Sequence, residues 1–183
     1  DDDDELCWVA LTDGDSELII GTKDGVAIRF NENDARPLGR TARGVKSITL
    51  RDGDCVVGMA VVTEVADLLT VTETGFGRRS SFDDYRLQFR GGKGILNYRT
   101  GRFGRVAAIA AVKNDDDVIM ISQSGVLIRV PVNEISTFAR PAKGVRVMRV
   151  GEGDAIVTLS AVPHEDEAEE NTASDQAVDE TAG

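Results

Sequence analysis

Short apolar runs rich in valine, isoleucine and leucine recur along the chain, with glycine between them. Leu18-Ile19-Ile20, Leu68-Leu69-Thr70-Val71 and Val118-Ile119-Met120-Ile121 each lead into a turn that ends in glycine: Lys23-Asp24-Gly25, Glu73-Thr74-Gly75 and Gln123-Ser124-Gly125. Glycine supplies the positive φ of a tight hairpin, so the return strands are predicted over 26–30, 76–80 and 126–130. A longer loop follows, with a helical turn near Asp83 and Glu134. Residues 45–50 alternate in character and predict a third strand. A turn at Asp52-Gly53-Asp54 then leads to a fourth strand over 55–62, copied at 155–162. No stretch carries a convincing amphipathic helical period, so the pattern predicts an all-β chain.

These elements repeat at a fixed spacing. Gly25, Gly75 and Gly125 are fifty residues apart, as are Gly44, Gly94 and Gly144. Arg29, Arg79 and Arg129 share a column, Arg40, Arg90 and Arg140 another, and Arg43, Lys93 and Lys143 a third, with no gap needed. Four short strands per repeat of this length is a propeller-blade signature. The expectation is therefore β-propeller-like blades of four antiparallel strands, in an incomplete array of three blades plus one leading strand. Residues 1–12 are read as the last strand of a truncated preceding blade, because 4–11 align with 54–61 and 154–161. Residues 13–62, 63–112 and 113–164 are read as blades, and 165–183 as a disordered acidic tail. On this reading the parent protein extends upstream.

Charge is unevenly spread. The formal net charge is -11, yet 13 of the 32 acidic residues lie in 1–5 and 165–180, where there is no lysine or arginine. The body holds the remaining 19 against all 21 basic residues and is slightly cationic, which admits a polyanion as partner. Residues 63–112 carry eight basic and five acidic groups, the most cationic of the three repeats. Two cysteines and one histidine, His164, give neither a disulfide framework nor a zinc site. The longest apolar run is far too short to cross a membrane as a helix. No cofactor is expected.

The recurring motif is Arg-x-x-(Arg/Lys)-Gly-(Val/Ile), at 40–45, 90–95 and 140–145. Its fullest copy is Gln88-Phe89-Arg90-Gly91-Gly92-Lys93-Gly94, whose glycines let a backbone approach a ligand and offer N–H groups to an anion. One copy alone reads as a flexible turn. Three copies at equivalent sites place basic residues along one rim, a geometry suited to the phosphates of duplex DNA. The candidate contacts are Gln88, Arg90, Gly91, Gly92, Lys93 and Gly94, with Arg40, Arg43, Arg140 and Lys143, supplemented by Arg29, Arg78, Arg79 and Arg129. No Walker-type lysine and no histidine base inside the body point to catalysis.

Taken together, Ile121-Ser122-Gln123-Ser124-Gly125-Val126-Leu127-Ile128-Arg129, Gly75-Phe76-Gly77-Arg78-Arg79 and Tyr85-Arg86-Leu87-Gln88-Phe89-Arg90-Gly91-Gly92-Lys93-Gly94 resemble the C-terminal domain of the DNA gyrase A protein. The resemblance spans the whole predicted body. It implies a six-bladed β-pinwheel with strands swapped between blades, and DNA wrapping in support of ATP-dependent negative supercoiling. It implies two partners through upstream domains: the gyrase B protein and a second copy of the A protein. It also implies a cytoplasmic bacterial setting near the nucleoid, and a catalytic tyrosine outside this chain. Phe89 stands where the family's box has arginine, and that box normally lies in a first blade. The nearest alternative is the corresponding domain of the topoisomerase IV A protein. A protein-interaction propeller is disfavoured, since the sole tryptophan, Trp8, supplies no repeated Trp-Asp signature.

Overall fold

The computed structural model describes residues 5–164. The strands are β1 (Glu17–Thr22), β2 (Val26–Asn31), β3 (Val56–Val61), β4 (Asp67–Thr72), β5 (Phe76–Ser81), β6 (Ile95–Leu96), β7 (Val106–Val112), β8 (Asp116–Ser122), β9 (Leu127–Pro131), β10 (Val145–Arg146) and β11 (Ile156–Pro163). They form antiparallel sheets in the orders β3-β1-β2-β6, β10-β5-β4-β7 and β11-β8-β9. The chain is all-β and propeller-like, and its third strands are exchanged. β6 belongs to the second repeat by sequence but completes the first repeat's sheet, with Ala27 opposite Ile95. β10 of the third repeat completes the second sheet, with Gly77 opposite Val145.

The hairpins close by one recurring device. The hydroxyl of Thr22, Thr72 or Ser122 accepts the N–H of Val26, Phe76 or Val126, at 3.2, 3.1 and 3.3 Å. Gly75, at φ +84°, then turns the chain, and a Cβ there would fall on the carbonyl oxygen of Met148. After each return strand a short 3-10 turn, Glu32–Asp34, Phe82–Asp84 or Val132–Glu134, starts the long loop at the expected place.

Strand alternation decides which sheets meet. Leu68 packs with Ile19, Ala27, Tyr85, Tyr98 and Ile109. Its neighbour Leu69 faces the other way, onto Val118, Met120, Val132 and Ile156. Each fully buried leucine contributes about 1.5–3 kcal/mol relative to exposure, so a one-residue slip of β4 would lose both faces. The first two sheets meet closely because β1 and β3 carry glycine there. A Cβ on Gly58 would stand 2.5 Å from the side chain of Ile109.

Two expected strands are absent among the described residues. Residues 45–50 are not a strand, although Ile48 is buried and Thr49 N–H donates to Gly92 O at 2.8 Å. Residues 5–12 are likewise irregular, with Leu6, Val9 and Leu11 exposed. Residues 45–50 stand in the columns of the exchanged strands β6 and β10, and residues 5–12 in those of β3 and β11, which pair with the first strand of their own repeat; none of the described hairpins stands beside either segment. The tail expected over 165–183 lies outside the described residues. No helix among the described residues is long and apolar enough to cross a membrane.

Candidate nucleic-acid interface

The three basic columns do three different things. The arginine that opens the motif is a clamp across the strand exchange. Arg90 Nε donates to Asp34 O at 2.7 Å and its Nη1 to Lys46 O at 3.1 Å. Arg140 repeats both bonds one blade on, to Asp84 O at 2.6 Å and Leu96 O at 3.1 Å. Each therefore grips the loop of the repeat before its own and a second segment of that repeat, the irregular stretch at Lys46 for Arg90 and β6 for Arg140. Arg40 is exposed and makes no hydrogen bond among the described residues.

The strand-end column works in the opposite direction. Arg29 pairs with Glu17 across its own hairpin and donates to the carbonyls of Phe82 and Tyr85 in the next repeat. Arg79 donates to Ile135 O at 2.7 Å and to Asn114 Oδ1 at 3.0 Å. Arg129 is held by Asp117 at 2.6 Å and reaches Pro163 O at 3.1 Å. His164 Nδ1 lies 2.8 Å from the other oxygen of Asp117. Hydrogen bonding from His164, then from Arg129, holds the Asp117 carboxyl below its ordinary value. Successive blades are thus stapled from both sides.

Arg78 is a correction. Expected on the DNA surface, it is fully buried. Its Nε donates to Ala142 O at 2.9 Å, its Nη1 to Ser80 Oγ, and its Nη2 to the backbone and side-chain oxygens of Asn97. The guanidinium sits 5.6 Å from the Tyr98 ring centroid. Tyr98 donates its hydroxyl to Lys143 O, and burial pushes its pKa up to about 12. Tyr85 donates to Asn97 Oδ1 at 2.6 Å and is likewise raised by burial. This network fills the seam between the second and third repeats and offers nothing to a phosphate.

The glycines of the motif also serve the fold. Gly91 N–H donates to Ser47 O at 2.6 Å, and Gly92 O accepts from Thr49. A Cβ on Gly94, at φ +67°, would stand 2.6 Å from Ala27 O, so glycine here admits the exchanged strand rather than a ligand. Gln88 N–H donates to Arg29 O at 2.9 Å, while its Nε2 is buried without a partner.

What remains on the surface is the third column and its neighbours. Lys93 and Lys143 are exposed, as is Arg43. Sequence reasoning missed the company Lys143 keeps. Phe76 and Phe103 meet edge to face, with centroids 5.2 Å apart. Lys143 Nζ lies 5.4 Å from the Phe103 centroid, the Arg102 guanidinium 4.9 Å from the same ring, and the Arg146 guanidinium 4.8 Å from Phe76. Three cations are thereby held over two rings at one seam. Among the described residues no carboxylate pairs with Lys93, Arg102, Lys143 or Arg146. Arg102 and Arg146 lie outside the repeated motif, and only the exchanged strand brings them together. Among the described residues no group of side chains could hold a metal ion.

The carboxylates gather elsewhere. Asp13, Asp15, Glu17, Glu64 and Asp83 line one pocket, beside the hairpin ends where the 3-10 turns sit. Lys93 lines a separate pocket, with Arg51 and Asp54.

The described repeats match a family model described as DNA gyrase C-terminal domain, beta-propeller, over 16–63, 66–113 and 116–163. Over 65 residues, or 36% of the chain, it is 51% identical to the DNA gyrase A protein of Haloquadratum walsbyi. Over 60 residues, or 33% of the chain, it is 57% identical to the DNA gyrase A protein of Staphylococcus epidermidis. These matches cover 8% and 7% of those proteins' lengths. Among solved structures, a DNA gyrase A C-terminal domain superposes with TM-score 0.75 at 30% identity, covering 80% of this chain and 50% of that one. A topoisomerase IV C-terminal domain superposes with TM-score 0.80 at 23% identity, covering 91% and 53%, a likeness of fold. With a family model matched on each of its three repeats, the chain belongs to the DNA gyrase C-terminal domain family of β-propellers.

Proposed function

We propose that this chain binds duplex DNA through the sugar–phosphate backbone and bends it along the rim where the exchanged strands lie. Within a longer gyrase A protein it would supply the wrapping step of ATP-dependent negative supercoiling. The gyrase B protein, a second copy of the A protein and the strand-cutting tyrosine would act through other domains. One observation carries the reading: Lys93, Arg102, Lys143 and Arg146 are cations without carboxylate partners among the described residues. A protein surface keeps such charges apart from counter-charges at a cost in self-repulsion, which a polyanion relieves. The family and its gyrase A relatives support the same reading.

The chemistry is that of a positioning surface. Lysine and arginine contact phosphate without reading base edges, and the described residues offer no helix suited to a major groove. Rigidity matters as much as charge. Arg90 and Arg140 fix each motif loop to the blade before it, so the cations are presented at set spacings rather than on free arms. The bending cost of DNA, of order 1–6 kcal/mol over a site of some 20–30 base pairs, is then met by contacts on successive blades. Arg43 and Arg40 would extend the track at the first repeat.

The test is fluorescence anisotropy with two duplexes of unrelated sequence across a salt series. Four phosphate contacts give a slope of log affinity against log salt of about −3.6, so a fourfold rise in salt weakens binding about a hundredfold. The two duplexes should share one curve. A strong preference for one of them, or an affinity indifferent to salt, would overturn the proposal.

A further inference from the structure

Phe89 stands outside the repeated basic columns and faces solvent. Its side chain is 83% exposed, and Leu87, two residues before it, is 54% exposed. Both lie on the loop that leads into Arg90 and Lys93. The exposure belongs to the loop itself. Thr137 and Ala139 hold the same columns in the third repeat, where two described repeats precede them, and they too are exposed. An outward position that takes threonine and alanine in the third repeat thus carries leucine and phenylalanine in the second.

The ring is braced. Gln88 N–H donates to Arg29 O at 2.9 Å, and Gly91 N–H to Ser47 O at 2.6 Å. Arg90 N–H reaches Asp34 Oδ2 at 3.4 Å, and its Nε reaches Asp34 O at 2.7 Å. The residues on either side of Phe89 are therefore tied to the first repeat, so the ring projects from a fixed base rather than a free arm. Just beyond it Gly91 and Gly92 present no side chain, whereas the third repeat has Pro141 and Ala142 there. A lone exposed apolar residue is ordinary. A braced aromatic ring beside a bare backbone ledge is a shaped feature.

The surrounding charge selects the partner. From Tyr85 to Lys113 there is no aspartate or glutamate and there are seven lysines and arginines, with Arg86 and Lys93 exposed. Lys93 follows Phe89 by four residues, at most about 14 Å along the chain. An apolar tip set among cations suits a polyanion with an apolar, stacked interior, which is duplex DNA. We propose that Phe89, with Leu87 beside it, is a wedge that enters the minor groove of bound duplex and partly unstacks one base step, kinking the path at the second repeat. The proposal rests on the DNA-binding reading above. Phenylalanine and leucine act in this way in architectural proteins, where the cost of unstacking one step is offset by the contacts a sharper bend permits. Lys93 would then hold a phosphate close to the kink. Every base step has stacked faces to part, so such a wedge fixes a bend without reading a sequence.

Anisotropy of the full 183-residue chain with two duplexes of equal length tests this, one fully paired and one with a single central mismatch. A mismatched step is already loosened, so the wild-type chain should bind that duplex about fivefold more tightly or better. A 2-aminopurine beside the mismatch should brighten on binding. Phe89→Trp should keep both effects. Phe89→Ala should bind the two duplexes alike and leave the fluorophore dim. Its salt slope should stay that of the wild type, because no cation is removed, and its thermal melt should match, because only an exposed side chain is lost. A mismatch preference that survives in Phe89→Ala would assign the effect to smooth bending and overturn the wedge. Equal binding of both duplexes by the wild type would overturn it too. So would self-association of the wild type that Phe89→Ala abolishes, with no mismatch preference, which would assign the ring to a second copy. In each of these cases salt-dependent DNA binding would persist, whereas its absence would remove the functional reading itself.

Discussion

Arg90 and Lys93 are three residues apart in one motif, and the structure gives them separable jobs. Arg90→Ala removes bonds of 2.7 and 3.1 Å to Asp34 O and Lys46 O, which tie the second repeat's loop to the first repeat. A hydrogen bond from a charged donor is worth about 1.5–3 kcal/mol net when well buried. This guanidinium is only partly buried, so about 2 kcal/mol for the pair is the reasonable figure. For a chain of this size that lowers Tm by about 4–8 °C. Lys93→Ala removes no bond within the protein and should change stability by less than about 0.5 kcal/mol. It should instead reduce the magnitude of the salt slope of DNA binding by about 0.9, so that each fourfold rise in salt costs the variant roughly 3.5-fold less affinity than it costs the wild type. Differential scanning calorimetry and an anisotropy salt series on both variants decide it. The reasoning fails if Arg90→Ala melts with the wild type, or if Lys93→Ala lowers Tm and leaves the slope unchanged.

Other substitutions probe the seams and the chain end. Arg78→Met should cost about 3 kcal/mol in chemical denaturation, because it strands the buried acceptors on Ala142, Ser80 and Asn97. Gly144→Ala should be the more disruptive of two turn substitutions, since its Cβ would fall on Gly77 O, while Gly153→Ala, at φ +78° with open space around it, should cost only about 1–2 kcal/mol. Asp117 has its carboxyl held down by His164 and Arg129. Its contribution to stability is complete above the unfolded value near 3.8 and is lost as pH falls through the lower folded pKa. Asp117→Asn should therefore flatten the acid side of the stability profile below about pH 4, read by thermal melts across pH; an unchanged acid limb would contradict this.

Much of the architecture is legible in the sequence because it is written three times. The columns of Gly25, Gly75 and Gly125 mark hairpins, and the apolar runs before and after them mark strands. Periodicity does not reveal which sheet a strand joins, since Ile95-Leu96 looks the same whichever hairpin it pairs with. Alternation alone predicts a strand over 45–50, yet a strand exists only where a neighbour's edge receives it. The same blindness affects the candidate site. Repetition draws attention to the arginines, but Arg29, Arg79, Arg90 and Arg140 repeat because the staples between blades repeat. Arg78 lies in a column with Ile28 and Ile128, a hint of burial that a cationic side chain obscures. Arg102 and Arg146 are distant in sequence and become one cluster only through the exchanged strand and the rings of Phe76 and Phe103.

The central claim is that blades clamped to one another hold their cations on a bent path that DNA must follow. Ligation of nicked circular DNA in the presence of the chain, followed by gel separation of the topoisomers, measures that path directly. The mean linking number should shift in one direction as protein is added. The shift should vanish when Lys93, Arg102, Lys143 and Arg146 are replaced by alanine in a chain whose folding is confirmed by its near-UV spectrum. Tight binding by the wild-type chain with no change in the topoisomer distribution would contradict the account.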